Sequence, residues 1–381
     1  MTAGGLSALR LRRMHDVLAG HVEGGSPSGL VSLVERRGEL HVDTIGVEPD
    51  AIFRIASMTK PVAAAAAMIL VEEARLRLDD PVDNFLPELA AMKVLRRFDA
   101  PVGDTVPTNR SITLRDLLTF RLGTGLILAA PDSYPIQRAM EEAVAGPGPP
   151  DPDRYPAAGE WLRGLASVPL VHQPGQVWMY NTGAEVLGVL IARASGQTFG
   201  QFLAERIFEP LRMVDTGFFV PPNKAERFAI DDKSARVRWM RPPAFESGGG
   251  GLVSTADDYL KFSRMMLGQG TLDGTRILSR PSVDAMTIDH LTGAQKERSP
   301  WLSGYWDHHG WGFGMEVITR RYDAASTPGK YGWDGGLGTS WRADPREEMT
   351  TILLTPTPWS SPEPPLVFRD FQTLAYAAID D

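Results

Sequence analysis

The sequence predicts an α+β fold: a central antiparallel sheet flanked by helices and built from both ends of the chain, with a mainly helical region inserted between them. Three observations carry this. Apolar, β-branched runs lie near the start, at residues 30–35 and 40–45, and again near the end, at 312–319, 339–343 and 349–355. Helical periodicity occupies both termini and the stretch 79–245. The strand-like runs within each end are joined by short turns, which favours antiparallel neighbours. The expected units are residues 1–80 with 246–381 for the sheet, and 81–245 for the insertion.

Each element has a local reason. Residues 6–22 form an amphipathic pattern, which fits a helix packed on a core better than one lying on a membrane. The runs 30–35 and 40–45 are separated by Arg36-Arg37-Gly38-Glu39, a hairpin with glycine in its turn. Residues 61–75 are alanine-rich without internal glycine, so a helix buried nearly all round is expected, with Ser57, Thr59 and Lys60 at its polar start. Thr113-Leu114-Arg115-Asp116, Thr182-Gly183-Ala184-Glu185 and Thr198-Phe199-Gly200-Gln201 read as capping boxes opening helices. The Gly/Pro-rich segment 146–152 reads as a surface loop. A helix is expected from Thr255-Ala256-Asp257-Asp258, and a last one with Val367, Phe371, Leu374 and Ala378 on its apolar face.

Composition narrows the chemistry. The 381 residues are 43% hydrophobic and 23% charged, which suits a folded enzyme and argues against a disordered chain. With no cysteine there is no disulfide, thiolate nucleophile or Cys-ligated metal, so covalent chemistry falls to oxygen or amine groups. The net charge of −8 and the lack of a long basic run argue against nucleic acid as a partner. The start lacks the n-region and apolar core of a secretory signal, and no run approaches a membrane span, so a cytoplasmic protein is expected.

In Ser57-Met58-Thr59-Lys60 the lysine follows the serine by three residues, one turn later on the same helix face, so hydroxyl and amine can meet. Burial at an apolar helix end lowers a lysine pKa, and the helix N-terminus adds a positive field in the same direction. Alone, the motif also fits an ordinary N-cap serine. Two further segments accompany it: Pro174-Gly175-Gln176-Val177-Trp178-Met179-Tyr180-Asn181-Thr182 and Trp333-Asp334-Gly335-Gly336-Leu337-Gly338-Thr339. Tyr180 fits either a reactive phenol or a core residue with a satisfied hydroxyl. Glycines in the third segment, on a strand, fit either a bulge or the close approach of a ligand.

Taken with Phe53-Arg54-Ile55-Ala56 before the serine, Leu117-Leu118-Thr119 and the glycines at 248–251, the chain resembles the serine β-lactamase-like, penicillin-binding-protein-like superfamily from about residue 30 to 355. Within it the resemblance is closest to the esterases similar to class C β-lactamases (family VIII carboxylesterases) and related acyltransferases. That resemblance implies a β-lactamase/transpeptidase-like fold with the active site between its two parts. It implies Ser57 as nucleophile, Lys60 as its partner, Tyr180 as a phenolic base, and the backbone N–H groups of Ser57 and Gly336 as an oxyanion hole. The residues leave open whether Lys60 or Tyr180 takes the serine proton.

Two departures bear on the substrate. Penicillin-recognising members carry Lys where this chain has Trp333, with Asp334 and Gly335 following, so an anionic substrate loses its anchor. They usually carry Asn two residues after the tyrosine, where this chain has Thr182. Both changes point to neutral, apolar acyl groups. Strand alternation further places Trp333 and Asp334 on opposite faces. The expected protein is a cofactor-independent serine hydrolase of small neutral esters, with acyl transfer to alcohols as an extension and a small-molecule ester or amide as its partner. The alternatives are a β-lactamase or D-Ala-type peptidase using Arg342 or Arg321 as the missing cation, and a non-catalytic binding or sensor protein. His308-His309 sit on a strand and face opposite ways, so no metal site is expected.

Overall fold

A computed structural model of the chain describes every residue except 1–3, 145, 147–150 and 300, so most of the loop expected at 146–152 lies outside the described residues. The chain opens with α1 (Ala8–Glu23), β1 (Leu30–Arg36), β2 (Glu39–Ile45), β3 (Phe53–Arg54) and α2 (Thr59–Glu72). Its middle carries β4 (Lys93–Leu95), β5 (Thr105–Pro107), α3 (Leu114–Leu118), α4 (Pro135–Val144), α5 (Ala158–Ser167), α6 (Thr182–Ser195), α7 (Phe199–Leu203), α8 (Glu209–Leu211) and α9 (Lys233–Arg236). Then follow β6 (Val253–Ser254), α10 (Ala256–Leu267), β7 (Thr271–Leu272), β8 (Thr275–Arg276), α11 (Arg280–Met286) and α12 (Gly293–Arg298). The chain closes with β9 (His309–Trp311), β10 (Glu316–Ile318), β11 (Tyr331–Gly335), β12 (Thr339–Asp344), β13 (Met349–Leu354) and α13 (Leu366–Ala377).

The main sheet has seven strands in the order β2-β1-β13-β12-β11-β10-β9, every pair antiparallel. The first strands therefore pair with the last, Val31 lying opposite Leu354, and the sheet is built from both ends of the chain as expected. β1 is buried on both faces, which explains its unbroken apolar run. Val31 and Leu33 face the core that contains α2, while Leu30 and Val34 face α1 and α13 with Met14, Leu18 and Phe371. The β1–β2 turn has positive φ at both Arg37 and Gly38, the two-residue geometry that matches strand twist.

α2 is buried from residue 59 to 70, and its five alanines at 63–67 leave room for close neighbours. One neighbour is the turn 312–315, where a Cβ on Gly314 (φ +70°) would lie 2.8 Å from the Lys60 carbonyl oxygen. Here the single strand expected at 312–319 is corrected: the chain reverses there, and β9 and β10 pair as a hairpin around it. Contact with the Leu118 carbonyl, which accepts from Gly314 N–H at 2.9 Å, fixes a turn that local alternation does not announce. Capping boxes form at Thr113 and Thr198. The one expected at Thr182 does not, because Asn181 takes the N-cap position and Thr182 is already inside the helix. Among the described residues, no helix is long and apolar enough to cross a membrane.

Candidate active site

Ser57 sits in a 3-10 turn (Ala56–Met58) that runs directly into α2, so it precedes the α-helix proper rather than lying within it. Ala56, the residue before it, holds φ +45°, a conformation a non-glycine residue keeps only when its surroundings impose it. Those surroundings are β3 behind and β11 and β12 beside: Thr339 Oγ1, at the start of β12, donates to the Ile55 carbonyl at 3.0 Å, and a Cβ on Gly335, at the end of β11, would come within 2.2 Å of the same oxygen. Gly335 is thus required for packing at the nucleophile's shoulder. It is buried and does not line the cavity, whereas Gly336 does.

One turn on, Lys60 is 1% exposed. Its Nζ lies 2.8 Å from Ser57 Oγ and also donates to the Gly249 carbonyl. Burial pushes its pKa down to about 7, against the opposing pull of the Glu185 carboxylate. A neutral amine within hydrogen-bond reach of a serine hydroxyl is the arrangement an alkoxide-forming site needs.

Tyr180 closes the constellation. Its hydroxyl bonds with Ser57 and accepts from Trp333 Nε1 at 2.7 Å, and its ring centroid lies 4.6 Å from Lys60 Nζ. Burial drives the phenol pKa well up, only partly offset by the Ser57 and Trp333 hydrogen bonds. Around it stand Phe120, Trp178, Trp301 and Trp311, which exclude water and fix the ring. Trp333, which stands where penicillin-recognising members carry a cation, is 7% exposed, and its indole N–H is committed to Tyr180.

Asp334 points to the other face, as alternation requires, and forms a two-pronged ion pair with Arg342 at 2.7 and 2.8 Å. Glu316 adds a second carboxylate, 3.6 Å from Arg342. Arg321 is held by the carbonyls of Asp323 and Ala324. Arg342 is already met by two carboxylates, and Arg321 borders a different pocket from the one at Ser57. Ser57, Tyr180, Trp333, Asp334 and Gly336 all border one cavity of about 850 Å³. Thr182 is a correction: as the first residue of α6 it is buried and does not line that cavity, while Asn181, turned by φ +87°, does.

Sequence reasoning missed Glu185. Read as a capping residue, it is a buried carboxylate that accepts from Ser247 Oγ at 2.8 Å, from Gly249 N–H at 3.2 Å and from the Asn181 side chain. Burial pushes its pKa up and nearby Lys60 pulls it down. The signal was present: Glu185 is the one charged residue between Gly183 and Ile191 in an otherwise apolar helix.

Comparison with known proteins places this geometry. Protein Rv1367c of Mycobacterium tuberculosis is 39% identical over 359 residues, covering 87% of this chain and 86% of that protein. Esterase EstB of Burkholderia gladioli is 30% identical over 380 residues, covering 89% and 88%. The fold is shared with the solved structure of simvastatin synthase LovD from Aspergillus terreus, with a TM-score of 0.77 at 23% identity over 97% of this chain and 99% of that one. The model of the beta-lactamase family matches residues 14–366, so the chain that carries this serine, lysine and tyrosine belongs to the beta-lactamase family.

Proposed function

We propose that the protein is a serine hydrolase that forms an acyl-enzyme on Ser57 and hydrolyses small neutral carboxylic esters, with a unit built from residues 1–80 and 246–381 facing a helical unit of 81–245 across the site. Family membership and the esterase among its relatives support a serine hydrolase. The observation that carries the finer reading is the Ser57 hydroxyl at the cavity wall, 2.8 Å from an amine whose pKa is pushed down to about 7. At neutral pH much of that amine is unprotonated, whereas the phenol of Tyr180 holds its proton. Lys60 is therefore the group that takes the serine proton.

Ser57 Oγ attacks the ester carbonyl carbon and its proton passes to Lys60. The resulting oxyanion lies against the N–H groups of Ser57 and Gly336, donors worth on the order of 10²–10³ in rate each. As the bond to the alcohol breaks, Tyr180 protonates the departing oxygen and is reprotonated from Lys60. Water then attacks the acyl-enzyme and passes a proton to Lys60, the bond to Ser57 Oγ breaks to release the acid, and Lys60 returns the proton to that oxygen; an alcohol in place of water gives acyl transfer. The preference for uncharged substrates follows from Trp333 in place of a cation and from Arg342 being already paired with Asp334.

A p-nitrophenyl short-chain ester should give a product burst, and an organophosphonate should label Ser57. Ser57→Ala should lose both while the thermal midpoint changes little, since the hydroxyl caps no helix and bonds only Lys60 and Tyr180. Turnover of β-lactams with no turnover of esters across acyl lengths would refute the substrate class. Labelling that survives in Ser57→Ala would refute the nucleophile.

A further inference from the structure

The carboxylate of Glu185 has no place in the proton path above, yet it is among the most expensive groups in the molecule to bury. Three donors converge on it: the Ser247 hydroxyl, the Gly249 N–H and the Asn181 side chain. These donors and Lys60 favour the ionised form, against the burial that pushes the pKa up overall. Gly249 connects it to the chemistry, because the same residue that donates its N–H to Glu185 accepts from Lys60 Nζ through its carbonyl.

The backbone there is shaped for this contact. A Cβ on Gly249 would lie 2.3 Å from Glu185 Oε1 and 2.9 Å from Asn181 Oδ1, and one on Gly248 would lie 2.4 Å from the Ala184 carbonyl. Only glycine lets the segment slide between α6 and the lysine. Asn181 in turn holds its φ of +87° immediately after Tyr180, with its amide on Glu185. One buried carboxylate thus braces the loop that receives the Lys60 amine and the residue adjoining the Tyr180 phenol.

We propose that Glu185 is a positioning residue for the reaction at Ser57: by bonding Gly249, whose carbonyl receives the Lys60 amine, it fixes where that amine points, and it places a carboxyl group facing the amine. This rests on the reading of Ser57 and Lys60 as nucleophile and proton acceptor. The charged or titratable groups that face the pair are few. Lys60 comes from α2, Tyr180 from the start of α6 and Tyr155 from the segment before α5, and Glu185 opposes ionisation of both phenols. Neither phenol titrates near neutrality, so Glu185 is the charge through which the amine is tuned.

The test is the pH dependence of kcat/KM for a neutral ester, and in parallel of the rate of organophosphonate labelling at Ser57, read by mass. Glu185→Gln keeps a carbonyl to accept from Gly249 and removes the charge. Its acid limb should move to lower pH by about one unit, with the alkaline plateau of kcat within about tenfold of wild type. Glu185→Met has similar length but neither charge nor acceptor; it leaves three donors unpaired at a buried site, at about 1–3 kcal/mol each, a cost that Glu185→Gln largely avoids. The Met variant should show the same limb shift and lose about 100-fold in plateau kcat with little change in KM, because the brace on Gly249 is gone. Limbs that coincide with wild type in the variants overturn the proposal, as does a Met variant whose loss lies in KM. A wild type that is not labelled at Ser57 refutes the hydrolase reading instead, so the two failures are distinguishable.

Discussion

Two lysines of this protein share nearly every electrostatic property and differ in what they touch. Lys60 and Lys330 are both buried, each lies over a tyrosine ring, at 4.6 Å from Tyr180 and 4.4 Å from Tyr376, and burial pushes each amine down to about 7. Lys330, which borders the same cavity, donates to the Ala325 carbonyl and to Gln372 Oε1 at 2.8 and 2.9 Å. Its tyrosine is engaged by Asp344, so no hydroxyl stands ready to be deprotonated. Lys60 has Ser57 at 2.8 Å. A perturbed amine is therefore not in itself a reactive centre; adjacency to a nucleophile that opens on the cavity is what separates the two.

The sharpest break of this comparison is in rate. Lys60→Ala should lower kcat/KM for a short neutral ester by about 10³-fold or more, while Lys330→Ala stays within about tenfold. Equal losses would mean that the charge of the cavity as a whole, rather than contact with Ser57, governs the reaction. In the wild type, kcat/KM should rise with pH through about 7 as Lys60 sheds its proton. Tyr180→Phe should cost on the order of 10²–10⁴ and combine with Lys60→Ala less than additively, since both groups act on the same proton. A double variant whose losses simply add would assign the two residues to separate steps.

The sequence disclosed Lys60 and left Lys330 unremarked, and the reason is range. Ser57 and Lys60 are three residues apart on one helical turn, so their meeting follows from local geometry, as do the hairpin at Arg37-Gly38 and the cap at Thr198. Contacts fixed by distant partners were not legible. Trp333 reaches Tyr180 across 153 residues, and the reversal at 312–315 depends on Leu118. Thr182-Gly183-Ala184-Glu185 satisfied a capping pattern, but a tertiary site claimed the glutamate: Ser247 and Gly249 bind it from 62 and 64 residues away. Local rules gave way where a buried group had a better partner elsewhere.

Trp333 sharpens the comparison on the tyrosine side. Tyr180 receives an indole N–H, whereas Tyr376 gives its own proton to Asp344. A donor to the phenol oxygen stabilises the negative charge that develops as Tyr180 releases its proton. Trp333→Phe keeps an aromatic ring and removes that N–H, so kcat should fall about 10- to 100-fold, the range for one buried hydrogen bond to a charging group. KM for small neutral esters should change little, because the ring is 7% exposed and most of its surface meets protein. A loss confined to KM would mean that Trp333 contacts the substrate rather than tuning Tyr180.

The smallest expected effect tests whether Lys330 is the purely structural member of the pair. Its amine titrates near 7 in the folded chain against an ordinary value of 10.5. Between those values the unfolded chain binds a proton that the folded chain does not, so unfolding free energy rises with pH across this window and Lys330 destabilises the fold most below it. Lys330→Met removes this dependence and should relieve on the order of a few kcal/mol near pH 7. It also strips donors from the Ala325 carbonyl and Gln372, a loss of about 1–3 kcal/mol that does not vary with pH. The net change at any one pH is therefore small, and the informative quantity is its slope. Urea unfolding at pH 7, 8.5 and 10 should show Lys330→Met losing ground to wild type as pH rises, while Lys60, present in both, cancels. Stability curves that run parallel would mean that Lys330 keeps its proton in the folded protein, and that burial alone does not give this lysine the electrostatics it shares with Lys60.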